Sequence, residues 1–156
     1  MRKQAIDRDD YWLGLAFLIA AASKNPDEKQ GAVVVSPANE ALSLACDGSP
    51  TSMQDSSHFV NAELNALFGV KVPIKDTTLY LTHTPCYQSC LAALAAGVKR
   101  IVYFKTDELT EDSVDAAKDG YLQLETFRGN LNWVRDYVKS LELLEIFDVK
   151  RDKYRL

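Results

Sequence analysis

Histidine is scarce in this chain: there are two among 156 residues, His58 and His83. Any chemistry that needs several imidazoles is therefore excluded. Cysteine is nearly as sparse, with only Cys46, Cys86 and Cys90. An odd, small number of cysteines is not the framework of a disulfide-stapled secreted domain; it points to free thiols and a reducing, cytoplasmic setting. No apolar run reaches membrane-spanning length, the longest being about ten residues within "WLGLAFLIAAASK". The start, "MRKQAIDRDDYW", turns acidic before any signal-type apolar core, so no leader or membrane role is expected. Excess positive charge is missing too: the net charge is −4. That argues against long nucleic acid as a partner, which calls for a basic face. The one local exception is the tail "VKRDKYRL", best read as a solvated terminus.

What is present is an ordinary globular balance, 47% apolar and 26% charged. The length suits one compact domain over residues 1–156. "DDYWLGLAFLIAAASKNP" has helical character, with Asp9 or Asp10 as cap and Asn25-Pro26 as stop. It is apolar nearly all round, which implies burial. "GAVVVSP" and "EALSLACDG", separated by the turn-forming "SPANE", predict two antiparallel strands in a hairpin. After a polar loop, "HFVNAELNALFG" predicts a second helix, "TTLYLTHT" a strand, "CYQSCLAALAAG" a short helix closed by glycine, and "RIVYF" another strand. Beyond it, "TEDSVDAAKDGYLQLETF" is polar and expected to be helical. A C-terminal helix at about 129–147 follows, with Leu131, Val134, Val138, Leu141 and Leu144 on one face. Strand-helix-strand order demands right-handed crossovers between parallel strands. The expected fold is a three-layer α/β/α sandwich with a mixed, five-stranded sheet.

Two short strings bear on chemistry. "NAELNA" and "TPCYQSC" each lie at a predicted helix start. With the order of elements, "CDGSP" and "AGVKRIVYF", they resemble the cytidine and deoxycytidylate (dCMP) deaminase superfamily, most closely its deoxycytidylate branch, over roughly residues 10–105. In that family one His and two Cys hold a zinc ion in the pattern His-x-Glu … Pro-Cys-x-x-Cys. The metal-bound water attacks the base, and the Glu moves protons without being a ligand. The resemblance assigns Glu63 the proton-shuttle position and Cys86 the first thiolate. It puts Asn61 where the His should stand and Ser89 where the second Cys should stand, with Cys90 one residue late. Asp47 falls where the substrate loop usually has Asn, and Asn65 matches a nucleotide-contacting position. Asp47 and Asn65 are therefore candidate substrate-binding residues.

Two readings stay open. In the first, one thiolate and two neutral oxygens are too weak a set for zinc, whose structural sites are worth about 10–16 kcal/mol. Hydrolysis is then lost, no cofactor is needed, and the fold serves a pyrimidine nucleotide, regulation, or assembly with itself or a partner protein. Asn61 and Ser89 would close the empty position by bonding to each other or to Glu63. In the second, His58, Cys86 and Cys90 form a rewired zinc set, and the protein is an active pyrimidine-nucleotide deaminase. Against this, moving a ligand from i+3 to i+4 turns it by about 100° and lifts it about 1.5 Å. A nucleophilic role for Cys86 at a helix N-terminus is a third, weaker option, for lack of a base. His83 is read as a histidine packed beside the pocket.

Overall fold

The computed structural model describes residues 5–50, 52–53 and 58–136. The chain opens with α1 (Arg8–Ala20). Its cap is Asp7, two residues before the earlier of the two expected caps, and its carboxylate accepts from the Asp9 backbone N–H at 3.0 Å. The hairpin follows as expected: β1 (Gly31–Val35) pairs antiparallel with β2 (Ala41–Cys46), and Asn39 takes a left-handed conformation in the turn, φ 64°. Next come α2 (Ala62–Gly69), β3 (Thr77–Leu81), α3 (Tyr87–Ala96), β4 (Val98–Tyr103), α4 (Glu111–Asp119) and β5 (Gln123–Thr126).

The strand order is β2-β1-β3-β4-β5. β1 pairs antiparallel with both β2 and β3, whereas β3–β4 and β4–β5 are parallel, so the sheet is mixed and five-stranded. Alternation in the strands sends side chains to two cores. Val33, Val35, Tyr80 and Val102 meet Trp12, Leu13 and Ala16 of α1 on one face. Ala32, Val34, Leu79, Leu81 and Ile101 meet α2, α3 and α4 on the other. This is the three-layer α/β/α sandwich. α1 lies close on the sheet because residue 31 is glycine: a Cβ there would stand 2.0 Å from the Ala16 carbonyl oxygen.

Three expectations are corrected. Residues 123–126 form the fifth strand and are not helical; Leu122 is buried beneath them and Leu124 packs on the core. The second helix begins after Asn61, with Val60 still extended and bridged to Gly48, so His58 is not one helical turn before Asn61. α1 is not buried all round, since Tyr11 and Leu18 are exposed. Of the expected C-terminal helix, 132–136 is helical and the remainder lies outside the described residues.

Candidate active site

Two helix starts and one strand end converge on a pocket of about 140 Å³. It is lined by Glu28, Gln30, Asn61, Glu63, His83, Thr84, Cys86, Thr106 and Asp107. α2 contributes Asn61 as its cap residue, with extended backbone, and Glu63 in its first turn. α3 contributes Cys86 as its cap residue and Ser89 in its first turn. His83 lies just beyond β3, continuing the face of Leu79 and Leu81 toward the α2–α3 layer.

Glu63 is fully buried, and its two oxygens have different neighbours. Oε1 accepts a short hydrogen bond from the Ser89 hydroxyl. That hydroxyl is also 3.1 Å from Cys86 Sγ, so Cys86, Ser89 and Glu63 form one chain of contacts. Oε2 stands 3.1 Å from His83 Nε2, an ion-pair distance but off the line of a hydrogen bond. Oε2 and both ring nitrogens of His83 are thus buried without a hydrogen-bonding partner, as is Oε1 of Gln30 in the same pocket. Burial raises the Glu63 carboxyl, but the neighbouring His83 ring and the Ser89 hydroxyl outweigh it and leave the group below the usual carboxylate range. Glu63 is therefore held as a buried carboxylate and hydrogen-bond acceptor.

The structure brings together Asn61, Glu63, Cys86 and Ser89. The Ser89–Glu63 bond forms, while Asn61 makes no side-chain cap bond to α2. It does not bring in the others. His58 is exposed, on the segment before α2. Cys90 is buried beneath α3, where burial, aided by Cys86 and Glu63, pushes its thiol up to about 11. Among the described residues, no three His, Cys, Asp or Glu side chains are grouped so as to hold a metal ion.

The two candidate substrate residues have structural partners. Asp47 is 2% exposed and accepts from the Gln30 backbone N–H at 2.8 Å and from Asn25 Nδ2 at 2.9 Å, anchoring the segment that leads into β1. Asn65 donates to the carbonyls of Cys46 and Val60, tying the end of β2 to α2. Neither lines the pocket. The residues missed from sequence are Glu28, Gln30, Thr84, Thr106 and Asp107, while His83, expected beside the pocket, lines it. For His83 a signal existed: period-two alternation from Leu79 through Leu81 puts residue 83 on the face that α2 covers.

The chain's likeness to known proteins agrees with this geometry. Residues 6–105 match the model of the cytidine and deoxycytidylate deaminase zinc-binding region. The deoxycytidylate deaminase of Mycobacterium phage D29 is 33% identical over 122 residues, 64% of this chain and 95% of that one. The human deoxycytidylate deaminase is 23% identical over 134 residues, 75% of each chain. Among solved structures, the dCMP deaminase of cyanophage S-TIM5 in apo form superposes with a TM-score of 0.69 at 23% identity, covering 80% of this chain and 100% of that one. The same phage enzyme in complex with dCMP and dUMP gives 0.68 at 21% identity, with the same coverage. At these identities the superpositions speak for the fold alone. The family match spans most of the chain and contains both helix starts of the pocket, and by that match the chain belongs to the cytidine and deoxycytidylate deaminase family, on its deoxycytidylate branch.

Proposed function

We propose that this protein keeps the family's pocket for a pyrimidine nucleotide or nucleoside but no longer carries out zinc-dependent hydrolysis, and acts through binding, in regulation or in assembly with copies of itself or with a partner protein. The observation that carries the reading is the Ser89–Glu63 bond. Where the family pattern calls for a second thiolate there is a hydroxyl, and that hydroxyl is engaged by the carboxylate that would otherwise handle protons. Cys86 is then the one thiol lining the pocket among the described residues. One thiolate, an amide and a hydroxyl do not suit zinc, which takes three or four strong nitrogen, sulfur or carboxylate donors. His58 and Cys90 are poorly placed to replace them, one being exposed and the other buried with a raised thiol pKa. Glu63 and His83 remain as paired acceptor and donor for a ring.

The test is elemental analysis of the full chain purified without chelators, together with an ammonia assay on dCMP. The expected result is zinc far below one equivalent and no ammonia release above the uncatalysed background. Stoichiometric zinc with turnover would overturn the proposal and restore the set His58, Cys86 and Cys90.

A further inference from the structure

Gln30 stands immediately before β1, where the chain enters the sheet between β2 and β3. Its backbone N–H donates to Asp47 Oδ1 at 2.8 Å, and its carbonyl accepts from the Asp47 N–H at 3.1 Å. That exchange carries the β1–β2 pairing one residue beyond Gly31 and Cys46. On the β3 side, the Gly31 N–H donates to Thr82 Oγ1 at 2.9 Å, and the Gly31 carbonyl accepts from the Thr82 N–H at 3.1 Å. The β1–β3 register pairs Ala32 with Leu81, so two residues further out Gln30 lies opposite His83. By strand alternation both fall on the face of Ala32 and Leu81, the face that α2 and α3 cover. Residues directly opposite in an antiparallel pair have Cβ atoms about 4.5–5.5 Å apart, so the two side chains line the pocket side by side.

The main chain of Gln30 is thus committed to Asp47, and its carboxamide is the part left for the cavity. Oε1 of that carboxamide is buried and accepts no hydrogen bond among the described residues. Buried polar atoms are nearly always paired. The partner of this oxygen therefore comes from what fills the cavity: water in the free protein, or a group of the ligand that displaces the water. An amide oxygen accepts and cannot donate, so it selects for an N–H or O–H donor.

We propose that Gln30 is a specificity-determining residue of this pocket: its Oε1 accepts a hydrogen bond from an N–H group on the edge of a pyrimidine ring, either the 4-amino group of a cytosine-type ring or the imino N–H of a uracil-type ring. The assignment rests on the nucleotide-binding role given above and goes past it by naming the atom that reads the base. A ring without an N–H on that edge displaces the water and returns no donor to Oε1, a loss of about tenfold in affinity.

The experiment is calorimetric titration of the full chain with dCMP, dUMP and the 5′-monophosphate of 2-pyrimidinone deoxyriboside, whose ring edge carries no N–H. It is repeated on Gln30→Met and Gln30→Leu, which keep the main-chain bonds of residue 30 and remove the amide oxygen. In the parent, dCMP or dUMP is expected to bind about tenfold more tightly than the 2-pyrimidinone nucleotide, and the ligand with that margin tells whether the amino or the imino group is read. In both variants the margin is expected to close through weaker binding of the N–H-bearing ligand, while affinity for the 2-pyrimidinone nucleotide stays level. No margin in the parent, or a margin that either variant keeps, would overturn the role of Gln30 and leave nucleotide binding intact. Failure of all three ligands to bind the parent would overturn both.

Discussion

The chemistry of this pocket turns on single atoms. Asn61 and Ser89 each present a neutral oxygen where the family pattern has an imidazole and a thiolate, and Ser89 already donates to Glu63. Restoring the donors therefore tests whether the surrounding frame is still competent. The Asn61→His, Ser89→Cys double variant is expected to hold zinc through purification where the parent does not, read by elemental analysis. Two thiolates and an imidazole supply both the donor count and the charge that the present set lacks. If it gains none, the frame itself has been remodelled. These substitutions were legible in the sequence because a motif fixes positions by spacing along a helix. The role of His83 was less so. Its placement follows from strand alternation, but its pairing is fixed only when α2 delivers Glu63 to within 3.1 Å. Asp47 and Asn65 are a different case: their motif positions suggest ligand contact, their side chains bond to the segments at the ends of β1 and β2, and no local pattern in the sequence announces the second use.

Among the elements, those with strong period or composition were plain in the sequence: the β-branched "GAVVV", and the helix closed by Gly97, which takes φ +98° at the C-cap. β5 was not, because it is a four-residue strand with the sequence QLET, partly exposed and flanked by polar residues. Its place is fixed by tertiary contacts. Arg100 on β4 donates through Nε and Nη2 to Glu125 Oε2 at 2.9 and 2.7 Å, and through Nη1 and Nη2 to the two Asp9 oxygens at 3.1 and 2.6 Å. Tyr80 on β3 adds a bond to Asp9 at 2.7 Å. One guanidinium thus fastens α1 and β5 to the sheet. Arg100→Ala is expected to lower unfolding stability by about 1–2 kcal/mol, a figure held down by the partial exposure of the group. Arg100→Lys should recover only part of this, because an ammonium cannot fork between two carboxylates. Denaturant titration of the three proteins reads the effect. Equal stability of the Lys variant and the parent would mean that charge alone, and not the fork, does the fastening.

Across the whole molecule, three carboxylates secure separate regions in one protonation state: Asp9 between α1 and the sheet, Asp47 at the entry to β1, and Glu63 in the pocket. For each, burial raises the pKa but the hydrogen bonds and neighbouring charges around it outweigh burial, so each lies below its ordinary value: Asp9 through Arg100 and Tyr80, Asp47 through the Gln30 backbone with Ser23 and Asn25, and Glu63 through the adjacent His83 ring and Ser89. A depressed folded-state pKa means that the unfolded chain binds more protons on acidification. The associated stability is fully present above the unfolded values near 4 and is lost as pH falls through the lower folded ones. Unfolding free energy is therefore expected to stay level with respect to these groups from pH 7 to about 5, then to fall steadily toward pH 3 as each carboxylate takes up a proton. Asp47→Asn separates the contributions. The amide it introduces can still accept one of the two bonds but carries no proton equilibrium, so the variant should be less stable than the parent at pH 7 and fall less steeply below pH 5. Denaturant unfolding at a series of pH values measures both slopes. Parallel curves for parent and variant would show that Asp47 holds the β1 entry by shape alone, with its charge contributing nothing.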